Sequence, residues 1–214
     1  MFLLQLTWQA AAAGLKPSRK GFIMVIGVTG PTGAGKSTVT EFLSKKYNLF
    51  IIDADKIARQ VTAKKSPALK EIENTFGKDY INSDGELNRK ALGKLVFSDK
   101  EQLEKLNCIT HKYIIEEIES LVRSNDICIL DAPLLFETNL DLLCEKIILV
   151  TGDEAVRAER IMKRDLITIE TAMNRIRSQK DYSLYIPKCH LVINNNNDSD
   201  LSVELAEVKC WLKN

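Results

Sequence analysis

A glycine-rich run that ends in Lys-Ser is the part of this sequence with the clearest chemistry. Residues 30–37 read Gly-Pro-Thr-Gly-Ala-Gly-Lys-Ser, the spacing G-x-x-x-x-G-K-S, and they directly follow the apolar run 23–29. Glycines allow a tight turn whose backbone N–H groups converge on a polyphosphate, and a helix predicted over 36–46 would point its positive end at the same anion. The pattern predicts a site for a nucleoside triphosphate; the alternative is a Gly-rich turn that binds nothing.

Two side chains of this loop are suited to the phosphates and to a metal ion. Lys36 can reach the β- and γ-phosphates, and the Ser37 hydroxyl can ligate the Mg²⁺ that accompanies ATP or GTP. The residues predicted to contact the nucleotide are Gly30, Pro31, Thr32, Gly33, Ala34, Gly35, Lys36, Ser37 and Thr38.

The whole-chain composition narrows the class of protein. The chain has 214 residues, of which 45% are hydrophobic and 28% are charged, and its formal net charge is +1. This length suits one α/β domain with a small insertion. Because so small a net charge gives no general basic field, no nucleic-acid partner is expected. The five cysteines include no Cys-x-x-Cys pair, which favours reduced thiols in a cytoplasmic protein, and we expect a monomer or weak homo-oligomer.

The first 23 residues differ from the rest of the chain. Residues 1–15 are apolar and a basic cluster follows at 16–20, whereas a secretory signal has its positive charge first. About 15 apolar residues are also too few to span a bilayer. We therefore expect residues 1–23 to be an extension outside the fold, with a transit peptide as the alternative. Residues 24–214 are expected to be the working domain, without membrane attachment.

Strand and helix patterns alternate along the remainder. Short continuous apolar runs, typical of strands buried on both faces, lie at 23–29, 49–52, 127–130, 147–150 and 191–193. Helical patterns lie at 36–46, 154–164, 169–181 and 201–212. This alternation predicts a P-loop NTPase fold of the three-layer α/β/α class, with a five-stranded parallel sheet.

More than seventy residues separate the second and third predicted strands, and this segment shows helical patterns with no obvious strand. Ser66 followed by Pro67 is typical of the start of one helix, and Asn88 is typical of the start of another. The string Ser98-Asp99-Lys100-Glu101 fits a capping box ahead of a long helix. Residues 56–124 are therefore predicted to form a helical insertion at the carboxyl ends of the strands, where it could recognise a second substrate.

Two carboxylates end the second predicted strand, in the string Asp53-Ala54-Asp55. If this strand lies beside the phosphate-binding strand, such carboxylates face the γ-phosphate. An alcohol that accepts a phosphoryl group has to lose a proton, and a carboxylate can accept it. Asp55 is the predicted base; the alternative is that an Asp here is the N-cap of the helix that begins near Lys56.

Three classes of nucleotide-binding protein fit the loop: a small-molecule kinase, a GTPase switch, and a motor or binding module. A GTPase would show the guanine motif Asn-Lys-x-Asp, which the sequence lacks. A motor would place a water-activating Glu after its apolar strand, but Asp131 is followed by Ala132 and Pro133. The sequence favours the kinase, and an ATP-binding regulator is the non-enzymatic alternative. Asp131 is predicted to hold Mg²⁺ through a water, or else to be a structural Asp.

A basic segment over 157–180 is predicted to act as a lid. Arg160 and Arg164 are four residues apart and so share one face of a helix. Such a pair can close over the triphosphate and stabilise the charge on the moving phosphoryl group. The alternative is a solvated basic helix, whose charges pair with Glu154 and Glu159.

Further strings occur in order along the chain and point to one family. They are Gly27-Val28-Thr29-Gly30 with its loop, Asp53-Ala54-Asp55-Lys56-Ile57-Ala58-Arg59, Phe76-Gly77, Asp84-Gly85-Glu86-Leu87-Asn88-Arg89, Leu106-Asn107-x-Ile109-x-His111, Pro133-Leu134-Leu135-Phe136-Glu137 and Arg175-Ile176-x-x-Gln179. With these strings the chain resembles the dephospho-coenzyme A kinase family, from Met24 nearly to the C-terminus. The resemblance implies transfer of the γ-phosphate of ATP to the ribose 3′-hydroxyl of dephospho-CoA, which completes coenzyme A. Another P-loop nucleoside monophosphate or small-metabolite kinase is the alternative.

The resemblance also implies roles for single residues around the acceptor. Asp55 would be the base, in agreement with the argument from its chemistry. Arg59 would bind the acceptor, although Arg on a helix commonly forms a surface salt bridge instead. His111 would line the acceptor pocket or else pack in the core; Lys112 follows it where the family usually has Pro.

Two further positions are implied in the same way. The segment 133–137 would form a wall near the acceptor, with contacts from Leu134 and Glu137, and the alternative for Glu137 is a solvated loop carboxylate. Asn195 falls after the last predicted strand, where the family contacts the adenine of ATP.

Overall fold

Five strands form one sheet in the computed structural model, which describes residues 23–197 and 199–213. The predicted N-terminal extension therefore lies outside the described residues, except for Ile23. The strands are β1 (Met24–Thr29), β2 (Phe50–Asp53), β3 (Ile127–Asp131), β4 (Lys146–Thr151) and β5 (Leu191–Asn194), in the order β2-β3-β1-β4-β5. β1 pairs in parallel with β3 and β4, and β4 pairs in parallel with β5. The predicted fold class, α/β with a five-stranded parallel sheet, is confirmed.

β3, and not β2, is the neighbour of β1 on one side. In the register of this pair, Val28 lies opposite Asp131. The expectation that the strand ending at Asp53 lies beside β1 is therefore wrong. The burial of the two strands gives the physical reason. The middle residues of β3 are fully buried, as an inner strand requires, whereas Phe50 at the start of β2 is 44% exposed, which suits an edge.

The helices are α1 (Lys36–Tyr47), α2 (Ala54–Val61), α3 (Pro67–Phe76), α4 (Arg89–Ser98), α5 (Lys100–Arg123), α6 (Glu154–Asp165), α7 (Ile169–Arg177), α8 (Leu201–Glu204) and α9 (Val208–Trp211). Shorter 3-10 turns lie at Lys78–Tyr80, Leu140–Leu143 and Tyr182–Lys188. Among the described residues, no helix combines the length and the apolar character that a membrane span requires.

Three predicted helix limits are wrong. α7 ends at Arg177 and not near Asp181, whose carboxylate instead caps the following 3-10 turn by accepting from the Ser183 N–H. The C-terminal pattern gives the two short helices α8 and α9. The N-cap of α5 is Asp99, which accepts from the N–H groups of the next turn, because Ser98 is still the last residue of α4.

The chain divides into two compact units, and the first holds the sheet. It comprises the described residues up to Ile52 and those from Asn125 onward. Every residue of β1 is buried, and one face of the sheet packs against α1 and the C-terminal helices through side chains that include Leu43 and Val208. Because β1 is enclosed on both faces, the point at which the glycine-rich loop leaves it is fixed.

The second unit, 53–124, is helical and has its own core. Ser66 caps α3 and Asn88 caps α4, as predicted, each by accepting an N–H hydrogen bond at the third residue after it. A cluster of buried apolar side chains joins α3, α4 and α5, with Ile72 at its centre. α2, α3, α4 and α5 together make up most of this segment.

Replacing Ile72 with Ala should lower the free energy of unfolding by about 2–5 kcal/mol, because the side chain is fully buried and its loss leaves a cavity. Urea denaturation measures the change. Phe97→Ala is the control, since Phe97 is 88% exposed and its truncation should cost less than about 0.5 kcal/mol. Equal losses for the two variants would contradict the placement of Ile72 in this core.

Candidate active site

The glycine-rich loop lies between the end of β1 and the start of α1, and its glycines are required by its geometry. Gly30 and Gly33 have φ angles of +147° and +76°, which residues with a Cβ rarely adopt. A Cβ at Gly30 would lie 2.0 Å from the Val150 carbonyl oxygen, and one at Gly33 would lie 2.6 Å from the Arg157 carbonyl oxygen. The neighbouring backbone therefore leaves no room for side chains at these two positions.

The end of the loop meets the N-terminus of α1, where unpaired N–H groups are expected. Gly35 is the N-cap and provides no side-chain hydrogen bond. Ser37 and Thr38, in the first turn, are exposed. A twelve-residue helix without a side-chain cap presents its amides and its positive dipole end to an anion.

Lys36 lies over the loop that precedes it. Its Nζ donates to the carbonyl oxygen of Gly30 at 2.9 Å and is 3.4 Å from that of Pro31. The ammonium is thereby held on the side of the loop toward which these two carbonyls point. This placement suits the predicted phosphate-binding role of Lys36.

Two other predicted residues, Arg160 of α6 and Asn195 after β5, meet at the loop. Arg160 Nη1 donates to the Asn195 carbonyl oxygen at 2.8 Å and reaches the Ala34 carbonyl oxygen at 3.4 Å, while Nη2 lies 3.3 Å from Asn197 Oδ1. The Asn195 side chain is buried, and its Nδ2 donates to the Ala34 carbonyl oxygen at 2.9 Å. The structure thus gives both residues a direct contact with the phosphate-binding loop.

Arg164, the other predicted lid arginine, has a different partner. Its Nε and Nη2 donate to the carboxylate of Asp165 at 2.8 and 3.0 Å, and Arg175 contacts the same carboxylate. The hydrogen bond from Arg164, together with the charge of Arg175, lowers the pKa of Asp165. Arg164 therefore forms a salt-bridge cluster with Asp165 and Arg175, whereas Arg160 contacts the phosphate-binding loop.

Sequence reasoning missed two residues that contact the loop. Arg157 Nε donates to the Thr32 carbonyl oxygen at 3.1 Å, and Gln179 Oε1 accepts from the Thr32 N–H at 3.0 Å. The signal that could have found Gln179 is its place in the family-like string that begins at Arg175. Arg157 carries no such signal, because its contact depends on how α6 packs against Gly33.

Asp131 and Ser37 are the candidate ligands for Mg²⁺. Asp131 ends β3 at the edge of the sheet from which the loop leaves β1. Among residues 23–197 and 199–213, no cluster of three His, Cys, Asp or Glu side chains could hold a metal ion. One hydroxyl and one carboxylate fit an ion that takes its remaining ligands from water and from nucleotide phosphates, as Mg²⁺ commonly does.

The segment 133–137 is fastened to the 3-10 turn that precedes β5. Tyr182 donates through its hydroxyl to the Pro133 carbonyl oxygen at 3.0 Å, and the Phe136 and Tyr185 rings stack with centroids 4.4 Å apart. Burial, with a smaller contribution from the nearby Glu137 carboxylate, raises the pKa of Tyr182 to about 12. Tyr182 therefore stays protonated and remains a hydrogen-bond donor.

Glu137 and Leu134 lie at this segment in contrasting surroundings. Glu137 Oε1 accepts from the Tyr185 hydroxyl at 3.2 Å and is 3.8 Å from Lys180 Nζ. Its Oε2 is buried without a hydrogen-bond partner in the part of the chain that the structure describes. Leu134 is 55% exposed. Glu137 is thus not a solvated loop carboxylate, and one of its oxygens can still accept a hydrogen bond.

In the second unit, Asp53 and Asp55 have separate roles. Asp53 is the N-cap of α2, and its Oδ1 accepts from the Lys56 N–H at 2.8 Å. Asp55 lies in the first turn and is exposed, with Arg59 one turn further on. The capping role that was the alternative for Asp55 therefore falls to Asp53.

His111 lies in the middle of α5. It is half-buried, and this burial lowers the pKa of its imidazole. A lowered pKa favours the neutral ring at physiological pH, so the side chain offers a hydrogen bond rather than a positive charge.

The phosphate-binding loop and the parallel sheet together define the class of the P-loop NTPases, which includes small-molecule kinases. Residues 24–200 match the model of the dephospho-CoA kinase family. The chain belongs to this family, and it is therefore an enzyme that transfers a phosphoryl group.

Individual relatives agree with this assignment. The dephospho-CoA kinase of Fusobacterium nucleatum is 42% identical over 190 residues, which covers 88% of this chain and 97% of that protein. Among solved structures, the dephospho-CoA kinase from Campylobacter jejuni matches with a TM-score of 0.62 and 29% identity over 88% of this chain and 96% of that one. The protein TT1252 from Thermus thermophilus matches with a TM-score of 0.76 and 26% identity over 90% and 99% of the two chains.

Replacing Gly33 with Ala should weaken ATP binding by about tenfold or more, because the new Cβ forces the loop away from α6 and strains a positive φ. Isothermal titration with ATP measures the affinity. Gly77→Ala is a matched control: its φ is +98°, but a Cβ there would meet nothing within 4 Å. It should lose stability and keep its affinity for ATP. Unchanged ATP binding in Gly33→Ala would show that the loop does not need its present shape.

Proposed function

We propose that the chain transfers the γ-phosphoryl group of ATP to the 3′-hydroxyl of the ribose of dephospho-CoA, the last step of coenzyme A biosynthesis. The observation that carries the proposal is the loop at 30–37, which lies between a buried strand and an uncapped helix N-terminus in a member of the dephospho-CoA kinase family. A loop of this kind binds the phosphates of a nucleotide through backbone amides. The family supplies the identity of the acceptor.

On the nucleotide side, Lys36 binds the β- and γ-phosphates and the amides of residues 33–38 surround them. Ser37 would hold Mg²⁺ directly and Asp131 would hold it through a water, and the bound ion would neutralise phosphate charge. Asn195 lies next to the loop at Ala34, which supports a role at the adenine side of the site.

On the acceptor side, Asp55 accepts the proton of the 3′-hydroxyl. Its support is chemical: a carboxylate is needed there, and Asp55 is exposed while Asp53 is committed to the helix cap. Arg59, His111, Leu134 and Glu137 are the further residues proposed to bind the acceptor. These last four roles come from the family, and the buried, unpartnered oxygen of Glu137 supports one of them.

The segment 157–180 acts as the lid. Arg160 contacts the outward carbonyl of Ala34 and would have to leave it to reach a phosphate. Arg164 would have to leave Asp165 to join it. Closure would exclude water, which would otherwise compete with the ribose hydroxyl as acceptor.

The proposal also includes a location in the cytoplasm. The cysteines at 108, 128, 144, 189 and 210 are free thiols, which supports the reducing environment of the cytoplasm. A monomer or weak homo-oligomer without a nucleic-acid partner is proposed from the composition.

An acceptor panel tests the reaction. ADP formation in the presence of ATP and Mg²⁺ should rise with dephospho-CoA and stay at background with shikimate, gluconate or nucleoside monophosphates, and the product should be coenzyme A by mass spectrometry. Turnover of a nucleoside monophosphate alone would replace the proposal with a nucleotide kinase. Tight ATP binding without turnover of any acceptor would indicate a regulator.

Asp55→Asn should reduce kcat by about 10²-fold or more while the affinity for ATP is unchanged, because the amide cannot accept the proton. Steady-state kinetics and ATP titration give the two values. Asp53→Asn is the matched control, since Asn is an equally good N-cap and should keep kcat within about threefold. A large loss in Asp53→Asn with normal activity in Asp55→Asn would move the base to Asp53.

A further inference from the structure

Side chains from outside the phosphate-binding loop form hydrogen bonds with both the backbone N–H and the backbone carbonyl of Thr32. Arg157 Nε donates to its carbonyl oxygen at 3.1 Å, and Gln179 Oε1 accepts from its N–H at 3.0 Å. The same Gln179 oxygen accepts from Arg157 Nη2 at 3.2 Å. These three residues form a closed set of hydrogen bonds, which we call the Thr32 clamp.

The Thr32 clamp lies where the loop reverses the direction of its peptide groups. In a trans peptide, the C=O and the following N–H point in opposite directions. The Thr32 N–H points outward to Gln179, and the preceding carbonyl of Pro31 points inward, where Lys36 Nζ lies 3.4 Å away. One residue later the direction is inverted, because the Thr32 carbonyl points outward to Arg157 and the Gly33 N–H therefore points inward.

The N–H of the next peptide group, that of Ala34, donates to the Pro31 carbonyl oxygen at 3.3 Å. The Ala34 carbonyl points outward and accepts from Asn195 Nδ2 at 2.9 Å, with Arg160 Nη1 at 3.4 Å. The N–H of Gly35 must then point inward. The inward amides that an anion needs thus begin directly after the Thr32 clamp.

The side chains of the Thr32 clamp are partly withdrawn from water. Arg157 and Gln179 are half-buried, and burial lowers the pKa of the Arg157 guanidinium. A cavity of about 400 Å³ lies beside them, lined in part by Pro31 and Tyr182. Hydrogen bonds to a partly desolvated charged group are stronger than those in water. These contacts therefore add to the hydrogen bond that the Ala34 N–H donates to the Pro31 carbonyl oxygen at 3.3 Å within the loop.

We propose that Arg157 and Gln179 are positioning residues that fix the peptide direction at Thr32 and thereby hold the loop in its anion-binding shape. They act through the backbone of Thr32 and need no contact with the nucleotide. Gln179 suits the role because one carbonyl oxygen can accept two hydrogen bonds at once. The inference rests on the proposed binding of ATP, but not on the identity of the acceptor.

Gln179→Leu tests the inference in the full-length protein by isothermal titration with ATP and Mg²⁺ in the absence of any acceptor. Loss of both hydrogen bonds should weaken ATP binding by about tenfold or more. Gln179→Glu keeps the accepting oxygen and should bind within about threefold of wild type. Gln102→Leu, the same chemical change in α5, is the control and should leave the affinity unchanged.

A backbone measurement separates positioning from a general loss of structure. In the nucleotide-free protein, hydrogen exchange of the Thr32 amide followed by NMR should be at least about tenfold faster in Gln179→Leu than in wild type, with the amides of β1 unchanged. Arg157→Met should have the same effect on ATP affinity, and the double variant should be no worse than either single one, because the clamp fails as a unit.

Several results would overturn the proposal. They are wild-type ATP affinity in Gln179→Leu, an equal loss in Gln179→Glu, and an unprotected Thr32 amide in wild type. Should Gln179→Leu fail to fold, Gln179→Glu and Arg157→Lys are compared instead. Normal ATP affinity in Gln179→Glu with about a tenfold loss in Arg157→Lys would support the Thr32 clamp. Equal ATP affinities in these two variants would refute it. Wild-type protein that binds ATP without phosphorylating dephospho-CoA would refute the proposed reaction only.

Discussion

The direction of a few peptide groups is the constraint on which the rest of this site depends. A neutral backbone binds an anion only if several N–H groups point the same way, and a free chain gains nothing by arranging them so. Here the carbonyls of Thr32 and Ala34 are held outward by Arg157, Arg160 and Asn195, so that the N–H groups of Gly33 and Gly35 point inward. These contacts hold the loop in the shape that binds an anion, which reduces the entropy lost on binding.

The sheet fixes the loop at its first residue and α6 limits it from outside. β1 is buried between β3 and β4, so its last residue cannot shift without disturbing both neighbours. Gly33 packs so closely on the backbone of α6 that no side chain fits between them. The helix that carries Arg157 and Arg160 is thus part of the loop's support as well as part of the proposed lid. A lid that moved as a rigid body would break these contacts.

The features that the sequence predicts well are those encoded by neighbouring residues. The loop motif, its helix, the five strands and the caps at Ser66 and Asn88 are each marked by a short pattern of neighbouring residues. The order of the sheet is not, and β3 could not be placed next to β1 from its sequence alone. The role of Gln179 is equally non-local. Its Oε1 accepts from both the Thr32 N–H and Arg157 Nη2, and these groups are brought together only by the packing of α6 and α7.

The partners of the arginines decide how much positive charge is available to a triphosphate. Arg157 and Arg160 donate to neutral carbonyl and amide oxygens, so their hydrogen bonds position them without cancelling their charge. Arg164 instead pairs with Asp165, which Arg175 also contacts. Bringing Arg164 to a phosphate would break that pair, although the cost is small because exposed ion pairs contribute about 0–1 kcal/mol. Arg160 therefore keeps its charge next to the loop, whereas the charge of Arg164 is paired with Asp165 until that pair breaks.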